Sequence, residues 1–354
     1  MPVYLLILVL FFALFILTKL SNIKNADVIL GGMMMLILAL IAGFRSDVGM
    51  DYQAYKELFS EINTEVGAES SVEPGFVLIN RIIYGLGGNY QMLFMIIAVI
   101  SYALFYKFIS YFSTNIFFSL LVFICIGQLY LNSFNAVRQF LAMSVFAYAT
   151  LFIAEKKFWK YAECIILAAL FGHASAILLI PLYFANREIS IKSKLILLTL
   201  IVFASKYLIV LIENSKYAVY LKLEVFTKET SMVTFLYLLL SLFILFRQKY
   251  ILNNNRYKNI LVNMNYCYLI LCVLLIVFSN TPLIELINRY SYYFILFYSI
   301  LIPALLTEIS NRSNRLIYQS IVVTLLVFLF VRSSIILGQE YNLTPFKFNF
   351  FLFE

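Results

Sequence analysis

Long runs of apolar residues, separated by short polar segments, form the main pattern along the chain. Most runs approach the roughly 20 residues that an α-helix needs to cross the hydrocarbon core of a bilayer. They predict spans over residues 3–18, 27–43, 91–111, 116–134, 137–154, 158–184, 194–212, 232–246, 260–279, 290–306 and 317–337. The prediction is an all-α, polytopic integral membrane protein with about 10–12 transmembrane helices. No repeat or boundary interrupts the chain, so residues 1–354 are predicted to form a single transmembrane domain.

Composition and charge change this picture little. Hydrophobic residues make up 63% of the chain and charged residues 12%, and the mean hydropathy is +0.94. Soluble domains carry about 25% charged residues, so a soluble globule is excluded, and the continuous runs exclude an outer-membrane barrel. The net charge is +8, but the basic residues lie in short loops, so the expected partner is the lipid bilayer and not nucleic acid. The four cysteines lie in apolar runs without metal-ligand spacing, and we interpret them as small buried hydrophobes.

Loop charges predict an orientation, because cytoplasmic loops carry an excess of Lys and Arg. Lys19 and Lys24 follow the first span, which places that loop in the cytoplasm and the next polar segment outside. Residues 45–73 of this outer segment have two basic residues against seven acidic ones. Residues 74–90 are predicted to form a shallow interfacial helix closed by a Gly-rich turn, which extends the periplasmic segment over residues 45–90.

Later basic loops fall at residues 156–160, 187–194, 247–258 and 312–315, and all four are predicted to be cytoplasmic. Residues 158–184 join two of these loops, although a single span must change sides. Either the stretch turns back near Gly172 and His173, or the loop at Arg187 is external. We favour a broken helix, since non-helical backbone is tolerated at membrane depth where it lines a cavity.

Ionisable residues at membrane depth are costly and are therefore candidates for function. The segment GFRSDVGMDY, residues 43–52, places Arg45, Asp47 and Asp51 at the outer end of a span. One interpretation is a set of interfacial capping charges; the other is a polar site at the membrane edge. The clustering of Gly, Arg, Asp and Tyr favours the site.

Two further segments combine charge with turn or amide residues. Glu73 precedes Pro-Gly at the start of a predicted helix, where a carboxylate suits the helix dipole; capping and catalysis explain it equally well.

In NSFNAVRQ, Arg138 lies close to the hydrocarbon and presents a fork of donors suited to phosphate or carboxylate. A snorkelling Arg is the alternative, but Asn135 and Gln139, four residues apart on one helical face, favour a polar site.

The single histidine and a late Arg-Tyr cluster complete the candidates. His173, in GHAS, lies deep in an apolar run, where packing is the ordinary role, but the predicted break beside it favours function. Arg289 is followed by three tyrosines, the first of which is Tyr290. This cluster is either an aromatic belt with an anchoring Arg or a site for a charged, hydroxylated ligand.

In the predicted topology, four of these five places fall on the outer face and His173 lies at mid-depth below them. Three arginines facing one region indicate an anionic ligand such as a phosphate or diphosphate, and the carboxylates and His173 are candidate general bases. A single histidine excludes a zinc site with several His ligands. The chain also lacks a P-loop, a GxSxG elbow and an Asp-x-Asp pair. An ATP-driven machine and a metal-dependent transferase using nucleotide sugars are therefore disfavoured.

The motifs GFRSDVGMDYQAY, EPGF, NAVRQFLA, HASA and NRYSYYF, in this order among spans, resemble the EpsG-type polymerases. These are similar to the Wzy polymerases of O-antigen and exopolysaccharide, and the likeness covers about residues 43–294. It implies a GT-C-type glycosyltransferase of the bacterial inner (cytoplasmic) membrane that uses no metal and no cofactor. Such an enzyme polymerises undecaprenyl-diphosphate-linked oligosaccharide repeat units at the periplasmic face. A Wzz-type chain-length regulator is the protein partner that the resemblance suggests.

The resemblance and the residues together give each candidate a hypothetical role. The diphosphates, and the charge on the leaving group, are expected to be held by Arg45, Arg138 and Arg289. The proton of the attacking hydroxyl is expected to pass to His173, Asp51 or Glu73. Contacts with the substrate are expected from Tyr52, Tyr55, Asn135, Gln139 and Tyr290.

Two alternatives stay open at this point. A flippase or transporter of lipid-linked oligosaccharide would bind the same diphosphate with the same arginines, although it would be expected to show inverted repeats and paired broken helices. An O-antigen ligase would share the arginines and differ only in its acceptor. The sequence discriminates poorly between a polymerase and a ligase.

Overall fold

The computed structural model describes residues 2–64, 72–127, 129–205, 207, 232–281 and 283–353. Helices account for most of these residues. Contacts divide the chain into two compact units. The first comprises Met1–Tyr183 with Ile302–Glu354, and the second comprises Phe184–Leu301.

The first unit begins with a series of α-helices. They are α1 (Pro2–Leu20), α2 (Ala26–Gly43), α3 (Tyr52–Thr64), α4 (Pro74–Gly85), α5 (Tyr90–Phe112), α6 (Ile116–Cys125), α7 (Val137–Ala154) and α8 (Phe158–Leu167). A 3₁₀ turn, Leu131–Phe134, precedes α7, and a π-helical turn, Ala168–Gly172, follows α8. A 3₁₀ helix, Ala174–Asn186, then leads into the second unit.

The remaining elements are α9 (Ile191–Ser205), α10 (Met232–Arg247), α11 (Lys258–Val277), α12 (Leu283–Ile295), α13 (Tyr298–Thr307) and α14 (Arg312–Glu340). In the second unit, α11 packs against α9, α10 and α12. In the first unit, α2 packs on α5, α5 on α7, and α7 on α8 and the π turn, while α14 packs on α1 and α6. Large apolar side chains on the outer faces of α1 and α14, such as Val9 and Phe328, are exposed, as expected of surfaces that face lipid.

The prediction of an all-α polytopic membrane protein is confirmed. Among the described residues six helices are long and apolar enough to cross a membrane: α1, α2, α5, α7, α11 and α14. The pair α12 and α13, bent by 45°, would make a seventh as one span. Shorter apolar helices are α6, α10 and the 3₁₀ helix. Residues 206 and 208–212 of the predicted span 194–212 lie outside the described residues, and the total of about 10–12 spans stays a prediction.

The predicted break near Gly172 and His173 is confirmed. The α-helix ends at Leu167, the π turn carries the chain to Gly172, and His173 is extended (φ −145°, ψ 128°) before the 3₁₀ helix begins. Gly172 permits this path because a Cβ there would lie 2.7 Å from the backbone N of Ala142 on α7. The break therefore rests directly against α7.

Residues 342–353 cover the loop that follows α2. β1 (Arg45–Ser46) pairs antiparallel with β2 (Lys347–Phe348). The backbone amide of Gly49 donates to Asn342 O at 2.9 Å, and that of Asn349 donates to Phe44 O at 2.8 Å. The first polar motif is therefore held by a segment about 300 residues further along the chain.

Candidate functional site

The carboxylate of Glu73 joins two distant segments of the first unit. Its Oε2 accepts a hydrogen bond from Nη1 of Arg138 at 2.7 Å, and its Oε1 accepts one from the backbone amide of Ala174 at 3.2 Å. Glu73 precedes α4 but makes no capping hydrogen bond to that helix. The carboxylate thus bonds away from its own helix, toward α7 and the break.

Glycine makes this position reachable. Pro74 begins α4 with the fixed φ that suits a first helical residue. A Cβ on Gly75 would lie 2.6 Å from the ring of Phe171 and 2.8 Å from Leu170 O. Any larger residue would push the start of α4 off the π turn, so the Pro-Gly pair brings Glu73 within reach of Ala174.

Arg138 lies in the first turn of α7, in partly buried surroundings. Its backbone amide donates to the hydroxyl of Tyr55 at 3.3 Å, and its guanidinium carbon lies 5.8 Å from the ring centroid of Phe76. The side chain is 26% exposed, and its buried Nε has no hydrogen-bond partner among the residues that the structure describes. A buried donor without a partner costs free energy, and an acceptor on a ligand would satisfy it.

The bonds of His173 fix its tautomer. Its Nδ1 accepts a hydrogen bond from the backbone amide of Ser175 at 3.2 Å and lies 2.9 Å from the Ser175 hydroxyl. An amide N–H can only donate, so Nδ1 is the unprotonated nitrogen and the neutral ring carries its proton on Nε2. In this tautomer Nε2 is the donor of the ring and Nδ1 is its acceptor, engaged by Ser175.

The contacts of Glu73 with Arg138 and with the Ala174 amide bring together three of the sequence motifs: EPGF, NAVRQ and HASA. Tyr55 adds the first motif through its bond to the Arg138 amide.

Arg45 lies deeper, in the packed interior. It is 2% exposed, and its guanidinium donates to Ala42 O at 2.5 Å and to Phe134 O at 3.4 Å while stacking on Phe94 with its Cζ 4.2 Å from the ring centroid. Burial lowers the pKa of Arg45 to about 10. The guanidinium thus donates a hydrogen bond to a carbonyl at the C-terminal end of α2. Its binding of a diphosphate stays a prediction.

The tyrosine and amide candidates around Arg45 are buried. The Tyr52 hydroxyl donates to Oε1 of Gln91 at 3.1 Å, and Oδ1 of Asn135 accepts from the Met50 amide at 2.7 Å. Burial raises the pKa of Tyr52 to about 12. Gln139 is buried on α7. Contact of Tyr52, Asn135 and Gln139 with a substrate stays a prediction.

Gln91 is a residue that sequence reasoning missed. Its Nε2 donates to Gly43 O at 2.5 Å and to Arg45 O at 3.0 Å, and its Oε1 receives the Tyr52 hydroxyl. The signal in the sequence is an amide side chain at the start of the apolar run 91–111, and in the structure this amide is fully buried. Gln91 holds the loop of the first motif against α5.

The two aspartates of the first motif occupy the loop and the start of α3. Asp47 is exposed, has a left-handed backbone (φ 53°), and accepts a hydrogen bond from Nε2 of Gln53 at 3.4 Å. The Asp51 carbonyl accepts the Tyr55 amide at 3.0 Å. The assignment of Asp51 as a base stays a prediction.

Arg289 and Tyr290 belong to the second unit, on α12. Nε of Arg289 donates to Oε1 of Glu285 at 3.1 Å, one turn earlier, and the arginine side chain is 41% exposed. The Tyr290 ring packs against Tyr293 and Phe294, with centroids 5.5 and 5.8 Å apart. The roles predicted for these two residues stay predictions.

Metal ligands do not gather in the part of the chain that the structure describes, where no group of three or more His, Cys, Asp or Glu could hold an ion. The four cysteines are free thiols; Cys125 and Cys272 are buried and the other two are partly buried.

Comparison with models of protein families matches residues 28–348 to the EpsG family. The matched range contains all of the candidate residues and ends within β2. No curated protein and no solved structure matches the chain significantly.

Proposed function

Because the chain belongs to the EpsG family, whose members are polysaccharide-polymerase-like membrane proteins, we propose that it polymerises oligosaccharide repeat units carried on undecaprenyl diphosphate. The growing chain is transferred from its lipid diphosphate to a hydroxyl of an incoming lipid-linked unit, at the periplasmic face of the bacterial inner membrane. The enzyme is a GT-C-type glycosyltransferase that needs no metal.

The observation that carries this proposal is the double hydrogen bond of Glu73. One carboxylate binds the Arg138 guanidinium and the amide beside His173. This arrangement puts a cation and a carboxylate in contact at the start of α7, beside the residue that follows His173. The transfer requires a cation to stabilise the leaving diphosphate and a base for the attacking hydroxyl.

The chemistry is a displacement at the anomeric carbon of the donor sugar. The hydroxyl oxygen of the acceptor forms a bond to that carbon, the bond from carbon to diphosphate oxygen breaks, and the lipid diphosphate leaves with the bonding electrons. Arg138 stabilises the negative charge that develops on the leaving oxygen. The charge of the guanidinium replaces the metal ion that many transferases use for this purpose.

Glu73 accepts the proton of the attacking hydroxyl. A carboxylate has about four lone-pair positions, and within the described part of the chain Arg138 and Ala174 occupy two of them. His173 donates from Nε2 to an oxygen of the diphosphate, since its Nδ1 is already engaged by Ser175. Arg138 and His173 are thus two donors for one anion, and Glu73 is the base.

Reconstitution tests the proposal. Purified protein in liposomes receives a lipid-diphosphate-linked repeat unit, EDTA and no nucleotide sugar, and the products are separated on a gel. The wild type should give a ladder, and Arg138→Ala should slow it by about 10²–10³. Arg81→Ala, an exposed arginine on α4, is the matched control and should give the wild-type ladder.

Three outcomes contradict the proposal. A normal ladder from well-inserted Arg138→Ala removes the assigned role of that arginine. Transfer of a single unit without a ladder identifies a ligase. Unextended substrate that crosses the bilayer identifies a flippase.

A further inference from the structure

A second polar region lies wholly within the second unit, apart from the residues used above. It is a cavity of about 560 Å³ at the loops that precede α9 and α11 and follow α10. Four lysines line it: Lys192, Lys194, Lys249 and Lys258. Glu188 is the acidic residue among the described lining residues, so the wall is strongly positive.

Lys194 is the unusual member, because lysines are almost never fully buried unless paired. It is 1% exposed, and its Nζ donates to Oε1 of Gln248 at 2.7 Å and lies 5.6 Å from the ring centroid of Tyr266. Among the described residues it forms no ion pair with a carboxylate. Its hydrogen-bond partner is therefore a neutral amide, and Glu188 is the carboxylate that acts on its charge from a greater distance.

The placement of the lysines on their helices is also unfavourable. Lys192 and Lys194 lie in the first turn of α9, and Lys258 is the first residue of α11. A helix carries its positive end at the N-terminus, so cations are favoured at the opposite end. Lys258 donates to Asn253 Oδ1, again a neutral group. An anion in the cavity would be attracted by the ammonium groups and by the two helix N-termini, and would offset their mutual repulsion.

We propose that this cavity binds a phosphate-bearing anion, either the headgroup of an anionic phospholipid or a soluble phosphate compound. The ligand is held by the ammonium groups of the four lysines and stabilised by the N-termini of α9 and α11. Because the lysines come from the ends of three helices, binding ties α9, α10 and α11 together and raises the thermal stability of the protein.

The test uses the full chain with Arg138→Ala, which weakens phosphate binding at the proposed diphosphate site. In neutral detergent, binding of inorganic pyrophosphate is measured by titration at constant ionic strength. Retention of phosphatidylglycerol, compared with phosphatidylcholine, is measured by native mass spectrometry. Melting temperature is recorded with each probe.

Two cavity variants and a charge-matched control are compared. Lys194→Gln should weaken binding about tenfold, the effect of losing one charge-assisted hydrogen bond. The double variant Lys192→Gln with Lys249→Gln changes exposed side chains only, should fold normally and should weaken binding at least as much. The control, Lys19→Gln with Lys24→Gln, removes two exposed charges of the first unit and should bind as before.

The outcomes distinguish a soluble phosphate ligand from a phospholipid headgroup. Binding of pyrophosphate that only the cavity variants weaken supports a soluble phosphate ligand. Selective retention of phosphatidylglycerol without pyrophosphate binding supports a lipid headgroup. Absence of both, or an equal loss in the control, overturns the proposal. None of these readouts depends on polymerisation, so this inference and the proposed function fail separately.

Discussion

Glu73 and Arg138 form an ion pair of 2.7 Å although 65 positions separate them in the sequence. The pair connects the start of α4 with the start of α7, and its second carboxylate oxygen reaches the break beside His173. Both side chains are mostly buried, 13% and 26% exposed. In such surroundings a charge interaction is screened less than at the surface, and loss of one partner leaves the other partly buried and unpaired.

A double-mutant cycle should therefore show strong coupling between these two residues. Glu73→Gln and Arg138→Ala should each slow polymerisation by about 10²–10³, and the double variant should be little worse than either. The measurement is the initial rate of ladder formation for all four proteins. Effects that multiply would show that the two groups act independently.

Substitutions of His173 test which ring nitrogen is needed for polymerisation. The amide of Gln places a donor near the position of Nε2, whereas that of Asn reaches the position of Nδ1. Since Nδ1 is engaged by Ser175, His173→Gln should retain more activity than His173→Asn. The readout is the ladder rate, with insertion checked by membrane fractionation. A more active Asn variant would contradict the assigned tautomer.

Gly49 should tolerate no side chain. Its backbone is left-handed (φ +102°), and a Cβ would lie 2.5 Å from Phe134 O. Gly49→Ala should cost about 1–3 kcal/mol, seen as a lower melting temperature in detergent. Gly85, with open space around it, is the control: Gly85→Ala should be equal to the wild type or more stable by up to about 1 kcal/mol. Equal melting of both variants would refute the strain at Gly49.

Tyr52 should contribute to a loss of stability in alkali. Burial raises its pKa in the folded protein to about 12, above the ordinary value of 10.0, so above pH 10 the unfolded chain releases a proton that the folded one keeps. Stability that is fully present below pH 10 is then lost as the pH rises through 12. Tyr52→Phe should lose less stability than the wild type between pH 10 and 12, as measured by melting temperature. An equal fall of melting temperature in the wild type and in Tyr52→Phe over this pH range would refute the contribution of Tyr52.

The spans and the break could be predicted from the sequence because both depend on local composition. Apolar runs of bilayer length gave the boundaries of α2, α5 and α7 within one residue. Gly172 and His173 marked the break because glycine and a titratable ring are costly inside an apolar helix.

The arrangement of side chains could not be predicted in the same way. Arg45 donates to carbonyls of its own helix end and of the turn before α7, a result of packing between segments 89 positions apart. Gln91 bonds to the same loop from α5. No periodic pattern encodes such pairs, since each requires the three-dimensional contact of two helices.

The pairing of β1 with β2 has a consequence for biosynthesis. A ribosome delivers the loop of residues 45–52 early, whereas residues 342–349, which bond to it, emerge about 300 residues later. At about 5–20 residues per second the interval is roughly 15–60 s. Throughout that time the loop amides and carbonyls must find substitute partners in water or in the insertion machinery. Completion of the first motif thus waits for the synthesis of residues 342–349 and does not follow directly from the insertion of its own helix.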